Sequence, residues 1–177
     1  YQAERIELGI EGGWQDQYTT TFGGFNWVEF RQNDVVVQPL RLQREVLLEL
    51  EYNMMLFRIG GNHDSGRIQQ EMIERTKFTE QELHLQEMMD LSVQMKENLL
   101  KGKVKQFGDL LHKAWEVKKA SNQSVSTPII DQCYDSARES GALGGKLLGA
   151  GQCGYMIIYA SPIYHVRIME DLLELGC

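Results

Sequence analysis

Asp16 stands in the stretch EGGWQDQYTTTFGGFNW, residues 11–27, between the glycine pairs Gly12–Gly13 and Gly23–Gly24. Each glycine costs folding entropy, so two pairs around a short polar segment mark backbone that turns tightly or approaches something closely. A carboxylate in this setting has two uses. It can cap a helix start, or it can take the proton from a substrate hydroxyl while a phosphoryl group is held elsewhere. A second cluster, GALGGKLLGAGQCG at 141–154, places six glycines in fourteen residues between apolar segments. Amides of such a loop can converge on phosphate oxygens with no side chains in the way; tight turns and close strand packing use the same composition. The loop is not a Walker A sequence, because no Gly-Lys-Ser/Thr follows at the required spacing, and it is not GxGxxG at a strand-to-helix turn. Phosphoryl transfer asks mainly for positioning and charge neutralisation. One carboxylate and one glycine cradle, far apart in sequence, therefore suggest a shared cleft.

The remaining reactive side chains exclude other chemistry. His63, His84, His112 and His165 show no HxxxH spacing, and Asp16, Asp64 and His63 supply no metal-ligand set, so no metal site is expected. Cys133, Cys153 and Cys177 are an odd number without a pairing pattern, which predicts free thiols. A net charge of −7 and a pI near 5.1 argue against nucleic acid and anionic membrane as partners. The longest apolar run, in GYMIIYA, is too short to cross a bilayer. No signal-peptide pattern opens the chain, which predicts a cytoplasmic protein. Both ends read like helices cut from something longer.

The elements that must position these groups follow from periodicity and punctuation. Residues 1–9 read as the tail of a helix closed by Gly9. FNWVEF (25–30) and VVVQPL (35–40), joined by RQND, predict a hairpin. EYNMMLFRIG (51–60) predicts a third strand, apolar enough to be central. A long helical region starts at Asp64 or Ser65 and breaks near Lys77–Thr79, where Thr79 and Glu82 offer a capping box; Gly102 ends it. Val104–Ser121 carries a stripe of Phe107, Leu110, Leu111, Ala114, Trp115 and Val117. Lys118 and Lys119 beside it are expected on a solvated helix end, and Met54, Met55, Met88, Met89 and Met95 as core filler. Pro128 opens the next helix, the glycine loop and the buried strand YMIIYA follow, and a closing helix starts at Pro162. The sum is an α+β domain with helices packed on one face of a mostly antiparallel sheet.

GGWQDQYTTTFGGFNWVEF followed by GALGGKLLGAGQCGYMIIY resembles the GHMP kinases. Within them the chain is most similar to the kinases of D-glycero-D-manno-heptose 7-phosphate, with fucokinase-type domains next. The resemblance runs over nearly the whole chain, through IGGNHDSGRI and LLHKAWEVKK. It implies that Asp16 is the catalytic carboxylate and that Gly149, Ala150, Gly151 and Gly154 form a nucleotide or phosphate loop. It further implies substrate binding by Gly13, Gln17, His63 and Ser65. The implied reaction uses ATP and Mg2+ to phosphorylate a sugar or sugar-phosphate hydroxyl; the alternatives are a fucokinase-type sugar 1-kinase or a non-catalytic sugar-phosphate-binding module. Three departures stand out. Gln152 and Cys153 interrupt a loop that is almost all glycine in the family. His63 stands where related kinases often have Arg. The family's ATP-binding loop has no counterpart here. Residues 1–50 are thus expected to end an N-terminal domain, residues 51–177 to form the C-terminal domain, and a missing N-terminal half is an expected partner.

Overall fold

A computed structural model describes residues 7, 13–32, 34–60 and 79–177. The expected helix over 1–9, the strand-to-helix junction at His63–Ser65 and the helix break at Lys77 lie outside these residues.

The aromatic and β-branched runs pair as expected. Strands β1 (Asn26–Phe30) and β2 (Val35–Pro39) form an antiparallel hairpin in register Trp27↔Gln38 and Phe30↔Val35. The Arg31 amide closes it by donating to the Asp34 carbonyl at 2.9 Å. Helix α1 (Gln15–Phe22) precedes the hairpin and buries no residue. It is held from outside, by Trp14 and Tyr18 edge-on to Phe30 at centroid distances of 6.3 and 5.8 Å. Gly23 and Gly24 both take positive φ, 64° and 65°, a conformation that only glycine adopts at little cost. The second glycine pair around Asp16 is therefore the turn out of α1.

Helix α2 (Arg44–Tyr52) was not expected. It buries Val46 and Leu50, and the strand foreseen over 51–60 begins only at Met54. That strand, β3 (Met54–Ile59), lies at an edge and not at the centre. Helices α3 (Thr79–Leu100), α4 (Val104–Ser121) and α5 (Pro128–Glu139) follow. Then come β4 (Ala142–Leu147), β5 (Gly154–Ala160) and α6 (His165–Glu174), the last entered through a 3-10 turn at Pro162–Tyr164. The sheet order is β3-β5-β4, antiparallel throughout, with β5, the last of the described strands, in the middle. Gly102 ends α3 as expected, at φ 69°.

Side chains alternate across a strand, so Phe57, Ile59, Leu147, Met156 and Ile158 share one face. That face packs on Trp115, Ile130, Tyr134, Ile168 and Leu172, and most of these side chains are fully buried. Each such aliphatic residue contributes about 1.5–3 kcal/mol, so this cluster carries the domain. A second cluster gathers Val46, Leu50, Leu99, Val104 and Leu111 around Tyr159. The α+β class and the packing of helices on an antiparallel sheet are as read from the sequence. Met89, however, is 62% exposed and fills no core. All three cysteines are free, and burial pushes the Cys133 thiol well above its ordinary range. Among the described residues no helix is long and apolar enough to cross a membrane.

Candidate functional site

Antiparallel β4 and β5 are neighbours, so the chain between them must reverse, and residues 148–153 do it. The Leu148 amide donates to the Tyr155 carbonyl at 2.8 Å. Beyond it Gly149 and Gly151 take φ of 72° and 127°, and Gly154 takes 119° at the start of β5. The Gln152 amide is tied to the Val125 carbonyl (2.9 Å) and the Cys153 amide to the Gly151 carbonyl (2.8 Å). A β-carbon on Gly151 would lie 2.7 Å from the Val125 backbone, which seats this side of the loop firmly. By contrast the amides of Gly149, Ala150 and Gly151 meet no acceptor among the described residues. Gly149 is exposed, and a β-carbon there would meet nothing within 4 Å. Three successive unsatisfied N–H groups on an open turn are the donor set that an anion needs.

Gln152 also takes positive φ, 61°, the one such non-glycine among the described residues. A left-handed L-residue costs about 1–2 kcal/mol, offset in a glycine by about 0.5–1 kcal/mol of entropy. Gln152→Gly is therefore expected to raise stability by up to about 1 kcal/mol, or roughly 2–4 °C in a thermal melt. A lower melting temperature would mean that the Gln152 side chain makes contacts worth more than its strain.

The loop sits over the end of α4. Gly108 on that helix and Gly144 on β4 let the two backbones touch: a β-carbon on Gly144 would overlap the Gly108 carbonyl oxygen and lie 2.8 Å from the His112 amide nitrogen. The contact fixes the helix against the strand, and the His112 ring then meets the Tyr134 hydroxyl at 2.8 Å. Ten residues beyond Gly108, the Lys118 ammonium donates to the Gly149 carbonyl at 2.7 Å. The expectation of a solvated helix end is thus corrected for this lysine: burial first, and the Lys146 charge second, lower its pKa to about 8. Lys119 is the surface member, paired with Glu116 at 3.0 Å and Asp131 at 3.7 Å. Lys146 lies two residues along β4 from Gly144 and hence on the same face. Burial lowers its pKa as well.

Asp16 lies in the first turn of α1, exposed to solvent. The N-cap position belongs to Trp14, and no side chain caps this helix, so the capping use of Asp16 is not the one observed. The Asp16 carbonyl accepts from the Thr20 and Thr19 hydroxyls at 2.7 and 3.2 Å; its carboxylate pairs with no described residue. Gly13 and Gln17 flank it. The structure thus gathers Gly149, Ala150, Gly151 and Gly154 with Lys118 at one turn, and Asp16 and Gln17 on a helix that Gly13 precedes and the hairpin holds. The hairpin meets the helical layer where the Lys96 ammonium sits 3.8 Å from the Trp27 ring centroid. His63 and Ser65 lie outside the described residues.

The sequence reading placed Lys118 at a solvated helix end and did not single out Lys146. The available signal was slight: a lysine alternating with glycine and leucine in a buried strand, and a Lys-Lys pair next to a buried tryptophan.

Residues 95–167 match the family described as GHMP kinases C terminal. Over 173 residues it is 32% identical to the D-glycero-alpha-D-manno-heptose 7-phosphate kinase of Campylobacter jejuni, covering 97% of this chain and 51% of that protein. Over 177 residues it is 31% identical to the L-fucokinase/L-fucose-1-P guanylyltransferase of Bacteroides fragilis, covering 94% and 18%. Among solved structures it is similar to a D-glycero-D-manno-heptose 1-phosphate kinase from Bacteroides thetaiotaomicron, with TM-score 0.64 and 32% identity over 97% of this chain and 46% of that one. The chain spans about half the length of the curated heptose kinase it matches.

Proposed function

We propose that this chain is the catalytic and sugar-binding half of a kinase that uses ATP and Mg2+ to phosphorylate a hydroxyl of a sugar or sugar phosphate. The preferred acceptor is the anomeric hydroxyl of a heptose 7-phosphate. One observation carries the reading: the similarity to the Campylobacter jejuni heptose 7-phosphate kinase covers 97% of this chain, and so takes in both the Asp16 segment and the glycine loop. The family domain alone, at 95–167, includes only the loop.

In this reading Asp16 accepts the proton of the attacking hydroxyl. The hydroxyl oxygen forms the new bond to the γ-phosphorus of ATP as the bond to the ADP oxygen breaks. The amides of Gly149, Ala150 and Gly151 hold phosphate oxygens at the turn, Gly154 lets the chain leave it, and Gly13, Gln17, His63 and Ser65 contact the sugar. In this scheme Mg2+ accompanies ATP on the nucleotide platform. Residues 1–50 complete an N-terminal domain and residues 51–177 the C-terminal one, in a cytoplasmic protein, with the nucleotide platform supplied in cis or by another chain.

The test is magnesium-dependent ATP consumption against heptose 7-phosphate, fucose, mannose and galactose, by this chain alone and with an N-terminal half supplied. Turnover on heptose 7-phosphate alone would select the preferred acceptor, and turnover on fucose the fucokinase-type alternative. One observation favours a second reading, a binding module without turnover: the Gln152 amide is spent on the Val125 carbonyl and the Cys153 amide on the Gly151 carbonyl, so neither is open to a phosphate. Saturable sugar-phosphate binding with no ATP consumed, even with both halves present, would select it.

A further inference from the structure

We propose that Cys133 and Cys177 are an oxidisable thiol pair, which closes to a disulfide between α5 and the end of α6. The site is separate from the kinase reading and uses none of its residues.

A free cysteine in a core ordinarily behaves as a small apolar side chain, so it is the placement of this pair that calls for an account. Cys133 lies on the inner face of α5, about one turn from Ile130 and one from Ala137, and all three are fully buried. Cys177 comes to it from another element. Just past α6, Gly176 takes a left-handed φ of 84°. Its amide donates to the Leu173 carbonyl and the Cys177 amide to the Leu172 carbonyl, both at 3.0 Å. These two bonds make the Schellman ending of a helix, in which the residue after the glycine folds its side chain back onto the last turn as an apolar contact. Here that contact is a thiol. Cys177 packs against the cluster that holds Cys133, Ile168 and Leu172, and the two thiols are hydrogen-bonded. At the end of α5 the buried Ser140 hydroxyl donates to the Asp171 carboxylate of α6, which ties the same two helices a second time.

The two sulfurs differ in what can reach them. Cys133 has no exposed surface, and burial together with the Cys177 hydrogen bond pushes its pKa up to about 12. It keeps its proton and meets no dissolved oxidant. Cys177 is half-buried, so it is the sulfur that a small hydroperoxide meets first. The order of events follows. The Cys177 sulfur attacks the O–O bond of hydrogen peroxide; an S–O bond forms, the O–O bond breaks and water leaves. Cys133 then attacks the sulfur of this sulfenic acid. The S–S bond forms, the S–O bond breaks, and the departing hydroxide leaves as water with the Cys133 proton. The thiols have lost two electrons and the peroxide has gained them. Because the resolving thiol is in contact before oxidation begins, the sulfenic acid is captured within the protein. Cys177 stands at the negative end of α6, which disfavours a thiolate, so the pair is a slow staple that closes under sustained oxidant. Once closed, it loops the chain from α5 through β4 and β5 to the end of α6, which constrains the unfolded state.

The test is peptide mapping of this chain carrying Cys153→Ser, which removes the third thiol. The protein is reduced, exposed to hydrogen peroxide, and its remaining thiols are alkylated. One intramolecular link between the Cys133 and Cys177 peptides is expected, lost again with dithiothreitol. A thermal melt should rise by about 5–10 °C on oxidation and return on reduction. Cys133→Ala is expected to stop the reaction at a sulfenic acid on Cys177, trapped by dimedone. Cys177→Ser changes only a half-buried side chain, and so serves where Cys133→Ala fails to fold. In it Cys133 is expected to react about tenfold or more slowly than Cys177 does in the parent. Two thiols that both stay open to alkylation, a link between separate chains, or Cys177 oxidised past the sulfenic acid beside a free Cys133 would overturn the proposal. So would a Cys133 that reacts at the parent's rate in Cys177→Ser.

Discussion

Asp16→Asn is expected to lower phosphoryl transfer on the order of a hundredfold or more, the usual loss when acid–base assistance is removed. In barrier terms this is about 2.7 kcal/mol. The substitution is nearly isosteric, and Asp16 is an exposed residue of a helix that buries no side chain, so stability should change by no more than about 0.5 kcal/mol. The amide can still hold a hydroxyl in place but cannot take its proton, so the loss should fall on kcat with KM for the sugar little changed. The measurement is steady-state kinetics of the assembled enzyme with a thermal melt beside it. A wild-type rate in the Asn protein would remove Asp16 from the chemistry, and a large drop in melting temperature would make the position structural.

The largest stability effect is expected at a residue remote from any reacting group. Gly144→Ala puts a methyl group into the Gly108 carbonyl oxygen and against the His112 amide nitrogen at 2.8 Å. Both neighbours are main-chain atoms of α4 and cannot turn aside as a side chain would. The helix has to lift from β4, loosening the contacts of Leu111, Trp115 and Tyr159 on either side of it. Overpacking of a core ordinarily costs about 1–3 kcal/mol; with backbone on both sides the upper end, about 3 kcal/mol, is expected here. For a chain of this size that is roughly 6–12 °C in melting temperature. Gly149→Ala is the companion measurement. It adds a methyl in open space and bears only the left-handed strain of about 1–2 kcal/mol. Gly144 does not take a positive φ, so a loss there no larger than at Gly149 would show that helix and strand can separate at little cost.

The sequence and the structure agree most closely where local rules suffice. Val104–Ser121 was legible to the residue because a 3.6-residue stripe runs unbroken between Gly102 and a polar loop. The hairpin was legible because two β-branched runs flank a polar turn. Helix α2 was missed for a physical reason. It passes into β3 through Asn53 alone, with no glycine or proline between them, and Asn53 satisfies the helix end by donating its side-chain amide to the Glu49 carbonyl at 2.6 Å. The place of β3 at an edge depends on pairing with a strand far along the chain, which no window of sequence contains. At the candidate site the glycine clusters suggested a base at Asp16 and a phosphate cradle at 141–154, and the resemblance chose these uses over a helix cap and tight turns. The Lys118–Gly149 bond joins positions 31 residues apart, and Lys146 reads as an ordinary polar alternation. Their shared environment exists only once α4 is laid against β4.

The position of β5 has a consequence for biogenesis. The central strand of the described sheet is translated after both of its partners, which differ greatly in distance: β4 is joined to it by the glycine turn, whereas Met54 of β3 pairs with Tyr159, about a hundred residues later. At ribosomal speeds of about 5–20 residues per second, β3 has no strand to receive it for roughly 5–20 s after its own synthesis. During that interval its backbone N–H and C=O groups lack the strand that will pair with them. The β4–β5 pair then forms at once on emergence, and closing the sheet requires it to capture a strand made long before. Such late, non-local closure is slow, so the nascent chain passes through a state in which holdase chaperones have a natural target.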